Sequence, residues 1–375
     1  MPPDRLVPSS PPRTFDDIKV HRQDGMTILS PAKGKPRRRV FYLNSYGMAE
    51  AWRLIQAGRY PSQHLWGCVE LVRLGYEVAM PEEPDRQSKG FRYRRQDLKH
   101  LGFIGEWLGK DGIIYSAHTI LFWSPLLRAL GLRRNPVVTL TYARDERLRF
   151  SRGYDGLLAL TPAALDRAST IAPKAKLLHI GWGVDIEFFP SLPYSPEFFV
   201  SCGKSRRDFQ TLLAATKLEG SPLHLTNKDL PQNLHWPKHV TLFTQLPEGE
   251  FEPMPYHSLI HNEYSHATAA LIILEEDGGE RFAAGFTQLL EAMAVGRPVI
   301  LTRTGAVPGE LDVDKQGCGI FVPPNNPKQL AEAMHFLRAN PDRAAEMGKT
   351  GREICMRQYG SERFGIRLHE FFNGL

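Results

Sequence analysis

A short apolar run, closed by a glycine or a small polar residue and followed by a stretch with helical spacing, recurs from Val40 almost to the end of this chain. This alternation constrains the fold more than any other feature, because strands alternating with helices build parallel sheets covered on both faces. In the first half the apolar runs are 40–43, 76–80, 113–115, 136–140 and 156–160, with helical spacing over 65–74, which ends at Gly75, and over 126–130. Between 180 and 196 the pattern breaks into Gly181, Gly183, two phenylalanines, prolines and serines, which predicts a linker. A second series follows, with strands over 198–202, 239–243, 269–274, 298–301 and 319–322 and helices such as 209–216 and 287–294. Two doubly wound halves result, and in such sheets ligands sit outside the carboxyl ends of the strands.

A length of 375 residues suits two or three domains at about 150 residues each. Residues 1–36, rich in Pro, Ser, Lys and Arg, read as a mostly disordered tail, so the fold is expected to begin at 37. With 42% hydrophobic and 23% charged residues the whole is neither disordered, collagenous nor coiled coil. Cys68, Cys202, Cys318 and Cys355 are too scattered for a disulfide framework or a CxxC metal site, which predicts a reducing compartment, the cytoplasm. The longest strictly apolar run, 269–274, is far short of the ~18 residues of a spanning helix, and the start lacks a signal-peptide core. The net charge of +6 favours anionic partners without selecting one, and no zinc-finger spacing, aromatic RNP-like strand or long basic stripe points to nucleic acid.

Two constellations fall just after predicted strands. In the first, 198–208, a strand runs into Gly203, Lys204, Ser205, Arg206, Arg207 and Asp208 at the start of a helix. A glycine that admits close backbone approach, a helix amino end and three cations suit a diphosphate, while a solvated basic turn capped by Asp208 explains the same residues. In the second, 274–300, a strand feeds a glycine-containing loop and a helix that Gly296 and Pro298 stop. Glu291 lies inside that apolar helix, where a carboxylate needs good hydrogen bonds. The vicinal hydroxyls of a ribose supply them, and so does an arginine or water at the helix edge. Gly285 and Thr287 stand at the helix amino end, suited to a phosphate or to ordinary capping.

The stretch 284–300, AGFTQLLEAMAVGRPVI, together with 317–324, 330–333 and Pro341, resembles the carboxyl half of the family 4 retaining glycosyltransferases (glycosyl transferases group 1). Residues 203–209 are similar to that family's G-x-S-x-R-D-[YF] phosphate-binding turn, and 181–185 to its domain junction. The likeness covers most of 155–350 and is weaker in the amino half. It implies the GT-B fold: two Rossmann-like, doubly wound parallel α/β domains facing a cleft, here 37–190 on the acceptor side and 191–355 binding the donor. It also implies that the last helix, within 356–375 and marked by Phe364, Leu368, Phe371 and Phe372, returns to the first domain. The activity implied is retaining transfer of a hexosyl or other sugar from a nucleotide sugar to an acceptor that the sequence does not identify, in carbohydrate biosynthesis, with no cofactor and no metal.

Carried over by position, Gly203, Lys204, Arg206 and Arg207 hold the donor diphosphate, Gly285, Phe286 and Thr287 approach the phosphates, and Glu291 binds the ribose. Thr244 and Leu246 line the base, and Gly47, in the loop after the first strand, faces the phosphates. The family's first glutamate is replaced by Ala283, with Asp277, Glu276 or Glu280 as substitutes or as a hydrated loop. The family's histidine after the strand at 137–141 is replaced by Tyr142, and His118, at another strand's carboxyl end, is the candidate to touch substrate against a structural role. Both departures keep open a donor-binding protein without transfer activity, and the shared fold keeps open a nucleotide-sugar epimerase. A basic segment, Arg92 to His100, beside the aromatic 101–108 suits either peripheral contact with an anionic membrane surface or a solvated helix packed by its apolar side.

Overall fold

The computed structural model describes residues 13–82, 93–142, 148, 150–203, 205–227, 230–244, 255–276, 284–305 and 311–375. The chain divides into two units, an N-terminal one of Pro11–Gly183 with Ser361–Leu375 and a C-terminal one of Val184–Gly360. The division thus falls seven residues before the expected one after 190, and residues 356–360 go with the C-terminal unit.

The N-terminal unit begins where a disordered tail was expected. β1 (Ile18–Gln23) and β2 (Met26–Pro31) pair antiparallel with Gln23 opposite Met26. Asp24 and Gly25 turn the corner with φ of 49° and 74°, the two left-handed residues of a type I′ hairpin turn. Ile28 and Leu29 of β2 are fully buried, whereas all of β1 after Ile18 is exposed. β2 joins the sheet by antiparallel pairing with β4 (Tyr76–Pro81), so the sheet is mixed rather than wholly parallel. The rest is parallel: β3 (Arg38–Leu43), β5 (Ile113–Ser116), β6 (Val137–Thr141), β7 (Gly156–Ala159) and the unanticipated β8 (Lys176–His179), in the order β1-β2-β4-β3-β5-β6-β7-β8.

The helix expected over 65–74 is broken. A 3₁₀ turn at Ser62–Leu65 is separated from α2 (Cys68–Arg73), which follows α1 (Met48–Gln56), by Trp66 and Gly67, both with positive φ. The break admits the terminal helix, since a Cβ on Gly67 would lie 2.9 Å from Leu368 Cδ2. α3 (Leu101–Trp107), α4 (Trp123–Ala129) and α5 (Pro162–Ile171) complete the helices between strands. Ile104 and Trp107 of α3 are core residues beside Phe41, with Phe103 packed against them, so the apolar side of the 101–108 segment faces the protein interior.

The C-terminal unit holds β9 (Phe198–Cys202), the unanticipated β10 (Leu223–Thr226), β11 (Val240–Phe243), β12 (Ala267–Ile272), β13 (Val299–Thr302) and β14 (Gly319–Val322), all parallel. Their order is β11-β10-β9-β12-β13-β14, the doubly wound arrangement whose direction of winding reverses between β9 and β12. The helices are α6 (Phe209–Glu219), capped by Asp208 Oδ1 on the Thr211 N–H at 2.9 Å, α7 (Tyr256–Ser258), α8 (Phe286–Ala294), α9 (Pro327–Ala339) and α10 (Pro341–Ile354). Phe199, Leu212, Leu225, Leu271, Ile300, Leu330, Met334 and Leu337 build a core between sheet and helices. α11 (Ser361–Asn373) belongs to the N-terminal unit, where Phe364, Leu368, Phe371 and Phe372 are buried.

Candidate functional site

The crevice at a winding reversal is where a doubly wound sheet offers backbone amides to a ligand. In the C-terminal unit that crevice lies between the turn after β9 and the loop from β12 to α8. Gly203 opens the turn with φ of +95°, which favours glycine, and Arg206 sits at φ +55°, in the left-handed region that few other residues adopt. The turn is tied to the end of β12, because Asp208 N–H donates to Ile273 O and Glu275 N–H to Arg206 O, each at 3.0 Å. Asn227, after β10, donates from Nδ2 to Gly203 O at 2.8 Å.

The two arginines of this turn part company. Arg206 points to the open side and pairs with Glu275 at 3.1 Å, in a cavity of about 640 Å³ that Asn233, Glu276 and Asn325 also line. Arg207 is buried beneath the turn. Its Nε and Nη2 donate to Cys202 O at 3.2 and 3.1 Å, Nη1 donates to Ser205 O at 2.9 Å, and Nη2 also donates to Gln288 Oε1 at 3.0 Å. Every one of these acceptors is neutral, and burial pushes the guanidinium down to about 10. Arg207 therefore supplies charge from the buried floor of the crevice.

α8 begins at Gly285, φ +78°, with no side chain capping its first turn. A Cβ on Gly285 would lie 2.7 Å from Ile272 Cγ2, so glycine alone lets the helix start this close to β12. Thr287 is half-buried at the helix amino end. Phe286, expected to approach the phosphates, turns its ring inward: it is buried, 6.2 Å from the Tyr359 ring, and leaves only its backbone for a ligand. Glu291, one turn further on, is buried and accepts from Tyr256 Oη at 2.9 Å. Phe188 and Phe189 hold Tyr256 edge-on at 5.8 and 5.9 Å. Thr244 follows the outer strand β11 and is exposed. Lys204, Leu246 and Asp277 lie outside the described residues, as do Glu280 and Ala283.

Three residues that sequence reasoning missed complete this site. Gln288 joins α8 to the β9 turn through Arg207, Tyr256 holds Glu291, and Tyr264 Oη lies 3.5 Å from Cys202 Sγ. Only Gln288 left a sequence signal, as a polar residue within an apolar helix.

In the N-terminal unit the winding reverses between β3 and β5. Gly47 stands there at the start of α1 with an ordinary φ of −67°, and His118 stands after β5. The His118 ring stacks on Tyr142 at 4.3 Å and 12°, with Trp66 edge-on to Tyr142 at 5.4 Å. Its carbonyl accepts from Ser116 Oγ at 2.7 Å and Thr139 Oγ1 at 2.9 Å, which fixes the loop. Burial pulls the imidazole down to about 4, so His118 is neutral near pH 7 and is a weak proton acceptor, a hydrogen-bonding group rather than a general base. Among the described residues no group of three His, Cys, Asp or Glu side chains is assembled for a metal, and no helix is long and apolar enough to cross a membrane.

Residues 259–354 match the family described as glycosyl transferases group 1. Alpha-maltose-1-phosphate synthase of Mycolicibacterium smegmatis is 35% identical over 74 residues, 19% of this chain and 19% of that protein's length. Among solved structures, sucrose-phosphate synthase from Thermosynechococcus elongatus superposes with a TM-score of 0.65 at 15% identity, covering 90% of this chain and 99% of that one. A glycosyltransferase from Rickettsia africae gives 0.61 at 13%, covering 91% and 99%, and HepE from Anabaena in complex with UDP-glucose gives 0.56 at 13%, covering 90% and 100%.

Proposed function

From a chain that has the GT-B fold and carries a glycosyl transferases group 1 domain across residues 259–354, we propose that this protein is a retaining glycosyltransferase whose C-terminal unit binds the nucleotide-sugar donor. The observation that carries the reading is the crevice between β9 and β12, where the Gly203 turn, the uncapped amino end of α8 and the buried Arg207 charge converge. The buried Arg207 charge, held by neutral acceptors, beside a helix amino end with no side-chain cap among the described residues, suits a diphosphate. HepE, with a similar fold, is a protein solved with UDP-glucose, which favours the same ligand class here.

As the glycosidic bond breaks, negative charge grows on the departing diphosphate, and fixed dipoles with a buried cation stabilise it without reorganising. Glu291, held by Tyr256, is the carboxylate for the ribose hydroxyls. Lys204 and Arg206 add charge to the diphosphate, Gly285 and Thr287 offer the helix amino end, and Thr244, Leu246 and Asp277 line the base and sugar. In the N-terminal unit Gly47 is the candidate to face the donor phosphates, and His118, as a neutral contact, and Tyr142 are the candidates to touch substrate. The departing phosphate takes the acceptor's proton on the same face of the sugar; trapping of a glycosyl group on a side chain would refute this step.

The test is thermal stabilisation by UDP, ADP, GDP and their sugar conjugates, followed by turnover of whichever binds. A true ligand at a hundred times its Kd stabilises by about 2.7 kcal/mol. Glu291→Ala is expected to lose that shift for nucleotides and keep the fold. Absence of stabilisation by every nucleotide would overturn the reading, and binding without turnover would leave a donor-binding protein.

A further inference from the structure

Gln288 is the third residue of α8, between Phe286 on one side and Leu289 and Leu290 on the other, all buried. It is only 4% exposed, and its Oε1 accepts from Arg207 Nη2 at 3.0 Å. Its Nε2 is buried with no hydrogen-bond partner among the described residues. A buried amide donor left without an acceptor costs about 1–3 kcal/mol, and such groups in a folded protein are rare enough to require an explanation. Packing gives none, since a leucine would fill the same volume in this apolar helix without the penalty. The arginine alone gives none either, since a glutamate there would serve a buried guanidinium better than an amide does.

What an amide offers that neither alternative does is a donor and an acceptor on one rigid group. One end holds Arg207 and the other is ready to donate. The missing partner is an acceptor, beside a buried positive charge and within the first turn of a helix whose amino end has no side-chain cap. We propose that Gln288 is a positioning and ligand-contacting residue, donating from Nε2 to a phosphate oxygen of a nucleoside diphosphate while its Oε1 holds Arg207 beneath the Gly203 turn. A glutamate at 288 would neutralise Arg207 and set a negative charge against the ligand, so the amide is what keeps the buried charge available. This deepens the donor-site reading above and rests on it.

The experiment uses the full chain with UDP, ADP or GDP, whichever the wild type binds, in Gln288→Leu and Gln288→Glu variants, reading Kd by calorimetry and Tm without ligand. Gln288→Leu is expected to bind about tenfold more weakly and to melt no lower than wild type. Gln288→Glu is expected to bind at least a hundredfold more weakly and to melt higher, because the buried guanidinium gains an ion pair. Affinity and stability moving in opposite directions is a signature that a merely structural residue does not give. Binding by the wild type with unchanged Kd in both variants overturns this inference and leaves the donor site standing. Affinity lost only in step with a fallen Tm, or failure of both variants to fold, overturns it in favour of a structural glutamine. No nucleotide binding by the wild type overturns both.

Discussion

Replacing Gly203 by alanine tests whether the buried arginine and the glycine turn form one device. A Cβ built at this position lies 2.2 Å from Arg207 Nη2 and 3.1 Å from its Cζ, and the backbone has φ +95°. An L side chain in the left-handed region costs about 1–2 kcal/mol. The guanidinium must also move, and Nη2 then loses its bonds to Cys202 O and Gln288 Oε1; a hydrogen bond from a charged donor contributes about 1.5–3 kcal/mol. The expected loss is about 3–5 kcal/mol, which at about 2–4 °C per kcal/mol for a unit of this size lowers the melting temperature by ~6–20 °C. Scanning calorimetry measures it in Gly203→Ala, Arg207→Met and the double variant. Because the methionine no longer opposes the new methyl group, the double variant should be more stable than the two single losses predict, by at least about 1 kcal/mol. Additive losses, or a single-variant loss below about 1 kcal/mol, would show that the turn does not depend on the guanidinium beneath it.

Two further expectations concern the N-terminal unit. His118 titrates near 4 in the folded protein because burial disfavours its charged form, against about 6.5 unfolded, so its contribution is complete above pH 6.5 and is lost as pH falls toward 4. Between pH 7 and pH 5 that loss is about 2 kcal/mol, and urea midpoints of the wild type should fall more steeply over this range than those of His118→Phe; parallel curves would refute the burial argument. Gly365→Ala sets a Cβ 2.2 Å from Glu70 Cβ where α11 meets α2. It should cost about 1–3 kcal/mol of stability by overpacking, with nucleotide affinity unchanged; a fall in affinity at unchanged stability would contradict the assignment of the donor site to the C-terminal unit.

The central strands were legible because they are buried on both faces, so Val40, Phe41, Ile113 and Leu271 form unbroken apolar runs. The β1–β2 hairpin was not, although Asp24-Gly25 is a strong turn signal, because β1 exposes five of its six residues and carries Lys19, His21 and Arg22 at the sheet edge. β8 was missed for the same reason, with none of its four residues fully buried. At the site, local features could be read: a glycine turn after a strand, an uncapped helix start and a carboxylate inside an apolar helix. The direction of the Arg207 side chain could not, because it depends on Gln288, 81 residues away along the chain. Tyr256 against Glu291 is likewise a contact across 35 residues, set by the packing of Phe188 and Phe189.

The membership of α11 in the N-terminal unit has a consequence for synthesis. Phe364, Leu368, Phe371 and Phe372 are buried there, and Gly67 is shaped to receive Leu368. A ribosome makes residues 11–183 first, yet that unit stays unfinished until 361–373 have emerged, while 184–360 is continuous and complete before then. The order of completion is therefore the reverse of the order of translation. Through the whole synthesis of the C-terminal unit, the surface around α2 that the last helix covers stays bare and open to capture by a chaperone or by another nascent chain.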